Sequence, residues 1–186
     1  VMPIYENGLK ELVDKNVNEN RLFFSTDIPK AIEEAEIIYI AVGTPMSETG
    51  EADLTFVKSV AEMIGKHLNG YKVIVNKSTV PVGTGKLVQA IIERNSKGEF
   101  PFDVVSNPEF LREGTAIYDT MNMERAVIGA TSEKAAAIIE ELHKPFQTKI
   151  VKSNLESAEM IKYAANAFLA TKISFINDIA NICERV

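Results

Sequence analysis

Glu36-Ile37-Ile38-Tyr39-Ile40-Ala41-Val42, running into Gly43-Thr44-Pro45, is the stretch that decides the fold. From Ile37 to Val42 the run is apolar or aromatic throughout, the pattern of a strand covered on both faces. Such a strand needs helices above and below it, and its neighbours supply them. Residues 28–35 read as a helix before it. After it, residues 54–68 place Leu54, Val57, Val60, Ala61, Ile64 and Leu68 on one stripe, an amphipathic helix. Further out, aromatic or β-branched runs at 21–25, 72–77, 102–106, 125–129 and 148–151 read as strands. Segments 8–16, 85–94 and 132–143 read as helices. Alternation of this kind predicts an α/β fold with a parallel sheet and helices on both sides.

Ligands of such sheets sit beyond the carboxyl ends of the strands. That makes loops 43–53, 78–84 and 107–114 the ones worth reading. Val42-Gly43-Thr44-Pro45 offers a glycine and a hydroxyl at a strand end, as an ordinary turn or as a close approach to a ligand. Lys77-Ser78-Thr79-Val80-Pro81-Val82-Gly83-Thr84 again follows a strand directly, and Thr84 is the expected N-cap of the next helix. Asn107-Pro108-Glu109-Phe110-Leu111-Arg112-Glu113-Gly114 sets two carboxylates and a guanidinium around two large apolar residues. A solvated loop has no need of Phe110 and Leu111, so this stretch reads as a site.

The pattern changes at Asn154. From there to Val186 there is no glycine or proline, and Ile161, Ala165, Phe168, Phe175, Ile179, Ile182 and Val186 recur at helical spacing. One long helix of about 50 Å is expected, apolar on more than one face and suited to joining domains or meeting a partner. Lys162 and Asn166 lie four apart on it and share a face. They read either as donors to a ligand or as the wet side of an interface helix.

Composition narrows the function. The chain of 186 residues is 46% hydrophobic and 25% charged, with a formal charge of −6, which excludes a disordered tail and a disulfide scaffold. An acidic chain with no basic run is a poor non-specific binder of nucleic acid. No apolar run reaches the roughly 18 residues that a membrane span needs. The single cysteine suits a reducing compartment, so the cytoplasm is expected. No metal spacing exists; His67 and His143 stand alone at helix ends. Gly83-Thr84-Gly85-Lys86 fails as a P-loop, since Leu87 stands where Ser or Thr is required. Gly83, Gly85 and Val88 fail as a dinucleotide fingerprint because valine is too bulky for the third position.

With the loops in order, the chain resembles the UDP-glucose 6-dehydrogenase family of nucleotide-sugar dehydrogenases. The pieces that carry the likeness are Pro3-Ile4-Tyr5-Glu6-Asn7-Gly8-Leu9, Val42-Gly43-Thr44-Pro45, Lys77 to Gly83, Asn107 to Ile117, and Lys162-Tyr163-Ala164-Ala165-Asn166-Ala167-Phe168. The resemblance implies a partial doubly wound, Rossmann-type, mostly parallel sheet over residues 1–152. The start of a central helical dimerisation domain would occupy 153–186. It implies NAD as cofactor, UDP-glucose as substrate, and a homodimer formed through the long helix 154–186. The family oxidises the C6 alcohol of its sugar to a carboxylate in two NAD-linked steps. By family position Lys162 and Asn166 would steady oxyanions, Thr79 would hold a catalytic water, and Glu109 would be the general base. Phe110, Leu111, Arg112 and Glu113 would embrace the sugar nucleotide together with Glu109, Lys162 and Asn166. Val42, Gly43, Thr44, Pro45, Thr79 and Glu113 would line the cofactor site.

The family pattern also has a Gly-rich strand–turn–helix unit before Val1 and a cysteine-bearing loop after Val186. The expectation is therefore a fragment that is inactive alone. In the usual strand order 3-2-1-4-5-6, losing that unit leaves about 14 Å between the strands at 21–25 and 36–42, three spacings of about 4.8 Å. Rearrangement or displacement of 21–25 is one expected outcome. Cys183 lies on the long helix 21 residues beyond Lys162, too far to be the nucleophile of the same site, and is expected to be a small buried apolar residue. A GDP-mannose 6-dehydrogenase is the alternative within the class. A non-catalytic remnant serving dimerisation or sugar-nucleotide binding is the alternative outside it.

Overall fold

The computed structural model describes residues 2–186. Its chain runs α1 (Leu9–Asn18), α2 (Ile28–Glu34), β1 (Ile37–Ile40), α3 (Thr55–His67), β2 (Lys72–Asn76), α4 (Thr84–Ser96), β3 (Phe102–Ser106), α5 (Ala116–Met121), β4 (Arg125–Ala130), α6 (Glu133–His143), β5 (Lys149–Ser153) and α7 (Leu155–Cys183). The five strands form one sheet in sequence order. β1, β2 and β3 are parallel, as are β4 and β5. β4 runs antiparallel to β3, a reversal within the mostly parallel sheet.

The two-residue period of a strand explains the layers. In β2, Ile74 turns to one face, where Val57, Ala61, Ile64, Val88 and Ile92 of α3 and α4 cover it. Val73 and Val75 turn to the other, meeting Val105, Ile128 and Ile139 under α6. All five residues of β2 are buried, and each such aliphatic side chain contributes about 1.5–3 kcal/mol of burial. Three helices, α2, α6 and α7, start at short polar side chains that cap them. Asp27 accepts from Lys30 N, Ser132 from Ala135 N and Asn154 from Ser157 N. Lys72, buried at the foot of β2, donates to Glu33 O and Ala35 O at 3.1 and 2.6 Å, closing the carboxyl end of α2.

Several expectations are corrected. Residues 21–25 are not a strand, and Phe23 and Phe24 are exposed. Phe23 and Phe24 have strand propensity, but a strand needs a partner, and among the described residues nothing pairs with the outer edge of β1. β1 is thus an edge strand, and Tyr39 is 41% exposed where cover on both faces was expected. Thr84 does not cap α4: the N-cap is Gly83, at φ 96°, and the Thr84 hydroxyl donates to Pro81 O at 2.6 Å. The short α5 was not foreseen. The long helix is confirmed as α7, buried only at Leu155, Ala158, Glu159 and Lys162. Beyond that end, Phe168, Leu169, Ile173, Phe175, Ile176 and Ile182 are exposed. Cys183 is exposed too, against the expectation of burial.

Candidate active site

All three loops gather at the carboxyl ends of the strands. After β1, Thr44 donates its hydroxyl to Thr79 O at 2.8 Å. Ser78 reaches back to Val42 O at 2.7 Å, so the first two loops are laced by their own hydroxyls. After β2, Lys77 donates to Asn107 Oδ1 at 3.0 Å. Asn107, itself buried, donates its side-chain amide to Val127 O at 2.8 Å and its backbone N–H to Asn76 O at 3.0 Å. The second and third loops are thereby fixed to one another and to β4.

The third loop meets α7. Lys162, 6% exposed, donates to Glu109 Oε1 at 3.1 Å. The other carboxylate oxygen accepts Leu111 N at 2.6 Å, so both oxygens of Glu109 are engaged. Phe110 explains the apolar content of this loop. Its ring has the Arg125 guanidinium 5.0 Å from its centre and the Lys162 ammonium 5.2 Å away, cation–π placements that hold both cations over one surface. Burial lowers the pKa of Lys77; the charge of Glu109 opposes that shift and the charge of Lys162 adds to it. Lys77, Glu109 and Lys162 therefore share one electrostatic neighbourhood.

Lys77, Glu109, Phe110, Arg112 and Arg125 line a cleft of about 470 Å³ with Asn107 and Tyr118. Arg112 does not stand free in it, because it grips Asp119 through Nη2 at 2.6 Å and Nε at 3.1 Å. The Asp119 carboxyl is held well below the usual carboxylate range by those bonds, with further help from Arg112 N and Thr115. Leu111, Arg112 and Glu113 are exposed, while Val42, Thr44 and Thr79 are half-buried and Gly43 and Pro45 exposed. Asn166 is exposed on α7 with no hydrogen bond of its side chain among the described residues. The geometry thus unites Lys162 with Glu109 and Thr44 with Thr79, and leaves Asn166 and Glu113 at the surface.

Sequence reading gave no role to Lys77, Asn107, Arg125, Glu159 or Glu6. Lys77, Asn107 and Glu6 lay inside the motifs already singled out. Glu6 is 8% exposed and accepts from Gly114 N at 2.7 Å and Ala116 N at 3.1 Å, so it pins the far end of the third loop. Glu6→Ala leaves two backbone donors without that carboxylate. It is expected to cost about 1–3 kcal/mol, read as a lowered urea midpoint.

Fit to a nicotinamide cofactor can be judged from these contacts. Thr44 and Thr79 sit together at the ends of adjacent parallel strands, where such a ring is held in this architecture. The α4 N-terminus is not a phosphate seat: Gly83 N and Gly85 N already donate to Glu159 at 2.6 and 2.7 Å. Among the described residues, no group of three or more His, Cys, Asp or Glu is placed to hold a metal ion. No described helix is long and apolar enough to cross a membrane.

Parallel strands with ligand-facing loops at their carboxyl ends are an architecture that the dinucleotide-binding dehydrogenases use. Residues 1–147 match the NAD-binding domain, and residues 156–186 the central domain, of the UDP-glucose/GDP-mannose dehydrogenase family. The chain belongs to that family. It is 77% identical, over its whole length, to UDP-glucose 6-dehydrogenase TuaD of Bacillus subtilis, and spans 40% of that protein. A UDP-glucose dehydrogenase structure from Pyrobaculum islandicum superposes with a TM-score of 0.92 at 39% identity, covering 95% of this chain and 42% of that one. A ternary complex of GDP-mannose dehydrogenase from Pseudomonas aeruginosa gives 0.91 at 36% identity, covering 94% and 42%.

Proposed function

We propose that the chain supplies the nicotinamide-facing loops and the oxyanion-steadying lysine of an NAD-dependent UDP-glucose 6-dehydrogenase. The observation that carries this reading is the Lys162–Glu109 pair, at 3.1 Å, beside the cleft formed by the third loop. The 77% identity to a UDP-glucose 6-dehydrogenase favours UDP-glucose over GDP-mannose. NAD, when bound, accepts the hydride in each of the two oxidations.

The chain's own residues then have separable roles. The Lys162 ammonium hydrogen-bonds the C6 oxygen and steadies the negative charge that gathers there. Asn166, one turn further along α7, swings its carboxamide to the same oxygen when substrate fills the cleft. Glu109, released from Lys162 by the incoming sugar, takes a proton from the attacking water, which Thr79 helps to hold. Phe110 and Leu111 pack on the sugar nucleotide, and Arg112 and Glu113 flank it. Val42, Gly43, Thr44 and Pro45 line the cofactor side together with Thr79, and Glu113 faces the cofactor as well.

Cys183 has no part in this chemistry. It lies 21 residues beyond Lys162 on one continuous helix, about 31 Å along the axis. The one cysteine of these 186 residues is therefore not the thiol that holds the aldehyde between the two oxidations. Residues 1–152 form the cofactor domain and 153–186 open a helical region that pairs two subunits. The exposed apolar residues of α7 support that pairing. A cytoplasmic setting fits an NAD-linked enzyme of sugar nucleotides with one free thiol.

The test is NADH formation by the full-length enzyme carrying this chain. UDP-glucose is expected to yield two NADH per sugar, and GDP-mannose none. Equal turnover of GDP-mannose, or binding of either sugar nucleotide with no NADH formed, contradicts the reading.

A further inference from the structure

The N-terminus of α4 is capped from a distance. Gly83 occupies the N-cap, so no local side chain is available there, and Thr84 has turned its hydroxyl to Pro81 O. The first backbone donors of a helix need partners. Those of Gly83 and Gly85 find both oxygens of Glu159, on α7 and 76 and 74 residues away, at 2.6 and 2.7 Å. A negative group here also meets the positive end of the α4 dipole.

At φ 96° position 83 favours glycine, so the N-cap itself brings no side chain to these donors. Glu159 is only 2% exposed. Burial pushes its pKa up, while the bonds from Gly83 and Gly85 pull it down. Burying a carboxylate carries a desolvation cost that a local cap avoids. What the distant carboxylate adds is a link between two elements. The approach is tight: a Cβ on Gly85 would lie 3.2 Å from Glu159 Oε1 and 3.1 Å from a Leu155 methyl, so those side chains would have to give by a few tenths of an ångström.

The link has a direction. Lys162 follows Glu159 by three residues, so both project from one side of α7, and both are buried. Glu159 grips the end of the second loop, which carries Thr79. Lys162 grips Glu109 of the third. We propose that Glu159 is a positioning residue for this site: its carboxylate locks the 78–83 loop to α7, so that Thr79 and Lys162 keep a fixed separation. The functional meaning of that separation rests on the dehydrogenase reading above, whereas the lock itself does not.

The experiment is amide hydrogen exchange by NMR on this chain, wild type against Glu159→Gln, with thermal unfolding as the check on folding. Glu159→Gln keeps the shape and removes the charge. Exchange at Gly83 and Gly85 is expected to rise about tenfold. The same rise should reach the Ser78 amide, which donates to Ile40 O at 3.2 Å, and the Lys162 ammonium resonance should shift. Faster exchange confined to α4, with Ser78 and Lys162 unchanged, makes Glu159 a plain helix cap and overturns the proposal.

If Glu159→Gln fails to fold, Glu159→Asp, which keeps the charge and retracts it by one methylene, is read at the same amides with the same two outcomes. In the full-length enzyme, Glu159→Gln should lower kcat about tenfold while KM for UDP-glucose stays within about twofold; an unchanged kcat in a folded variant also overturns it. Absence of any UDP-glucose turnover in the wild type would sink the dehydrogenase reading alone, and the exchange pattern would still decide the lock.

Discussion

Lys162→Met is expected to lower kcat of the full-length enzyme by about 10²–10³-fold, with a smaller change in KM. The length of the side chain is kept and the ammonium lost. Lys162 is buried and hydrogen-bonded to Glu109 at 3.1 Å, so its position is set before substrate arrives, the condition under which a donor stabilises a developing negative charge without having to reorganise. Glu109 keeps its bond from Leu111 N and lies near Lys77, so the carboxylate is not stranded when Lys162 goes. The fold should therefore survive, and the loss should appear in turnover. NADH absorbance at saturating cofactor measures it; a kcat within about threefold of wild type removes Lys162 from the chemistry.

The second large effect falls on packing. Gly129 of β4 lies directly beneath the start of α7. A Cβ there would sit 2.4 Å from Asn154 O, 2.9 Å from Asn154 C and 2.6 Å from the Ala158 methyl. Two of the three are backbone atoms and the third a short, rigid side chain, so nothing can swing aside. Gly129→Ala must push α7 off the sheet. A cost of about 3–4 kcal/mol is expected, at or beyond the top of the range for overpacking, which in a chain of this size corresponds to roughly 10 °C in the melting temperature. Gly70→Ala, with no atom within 4 Å of the added carbon, is the control and should melt with the wild type. Circular dichroism on heating checks both, and a Gly129→Ala melt within about 2 °C of wild type would mean that α7 does not rest on β4.

These two residues also mark what the sequence discloses. β2 was legible as a short β-branched run between helical segments, but the cover on both faces expected of residues 37–42 belongs to β2, whose five residues are all buried, and not to the edge strand β1. α3 and α7 were legible because their apolar residues recur at helical spacing over many turns. The reversal of β4 was not, since both strand directions share a period of two. Residues 21–25 misled because aromatic and apolar content measures how well a strand would pack, and says nothing of whether an edge is free to receive it. The short α5 is too brief for a period to emerge.

The site divided in the same way. Hydroxyls and acids in loops after strands could be seen, and Lys162 stood out as a cation on an alanine-rich helix. Partnerships could not be seen. Lys162 and Glu109 are 53 residues apart, and Glu159 and Gly85 are 74 apart. Only the sheet, by turning every parallel strand end the same way, brings them together. Glu159 had its own faint signal, an acid one turn before Lys162 on the side of α7 that the sheet buries.

The most direct test of the account is a crystal structure of the full-length enzyme with UDP-glucose. The account predicts the C6 oxygen of the sugar within about 3 Å of Lys162 Nζ, with Glu109 moved off that nitrogen and Phe110 against the sugar nucleotide. A sugar seated elsewhere, with the Lys162–Glu109 pair intact, would contradict it.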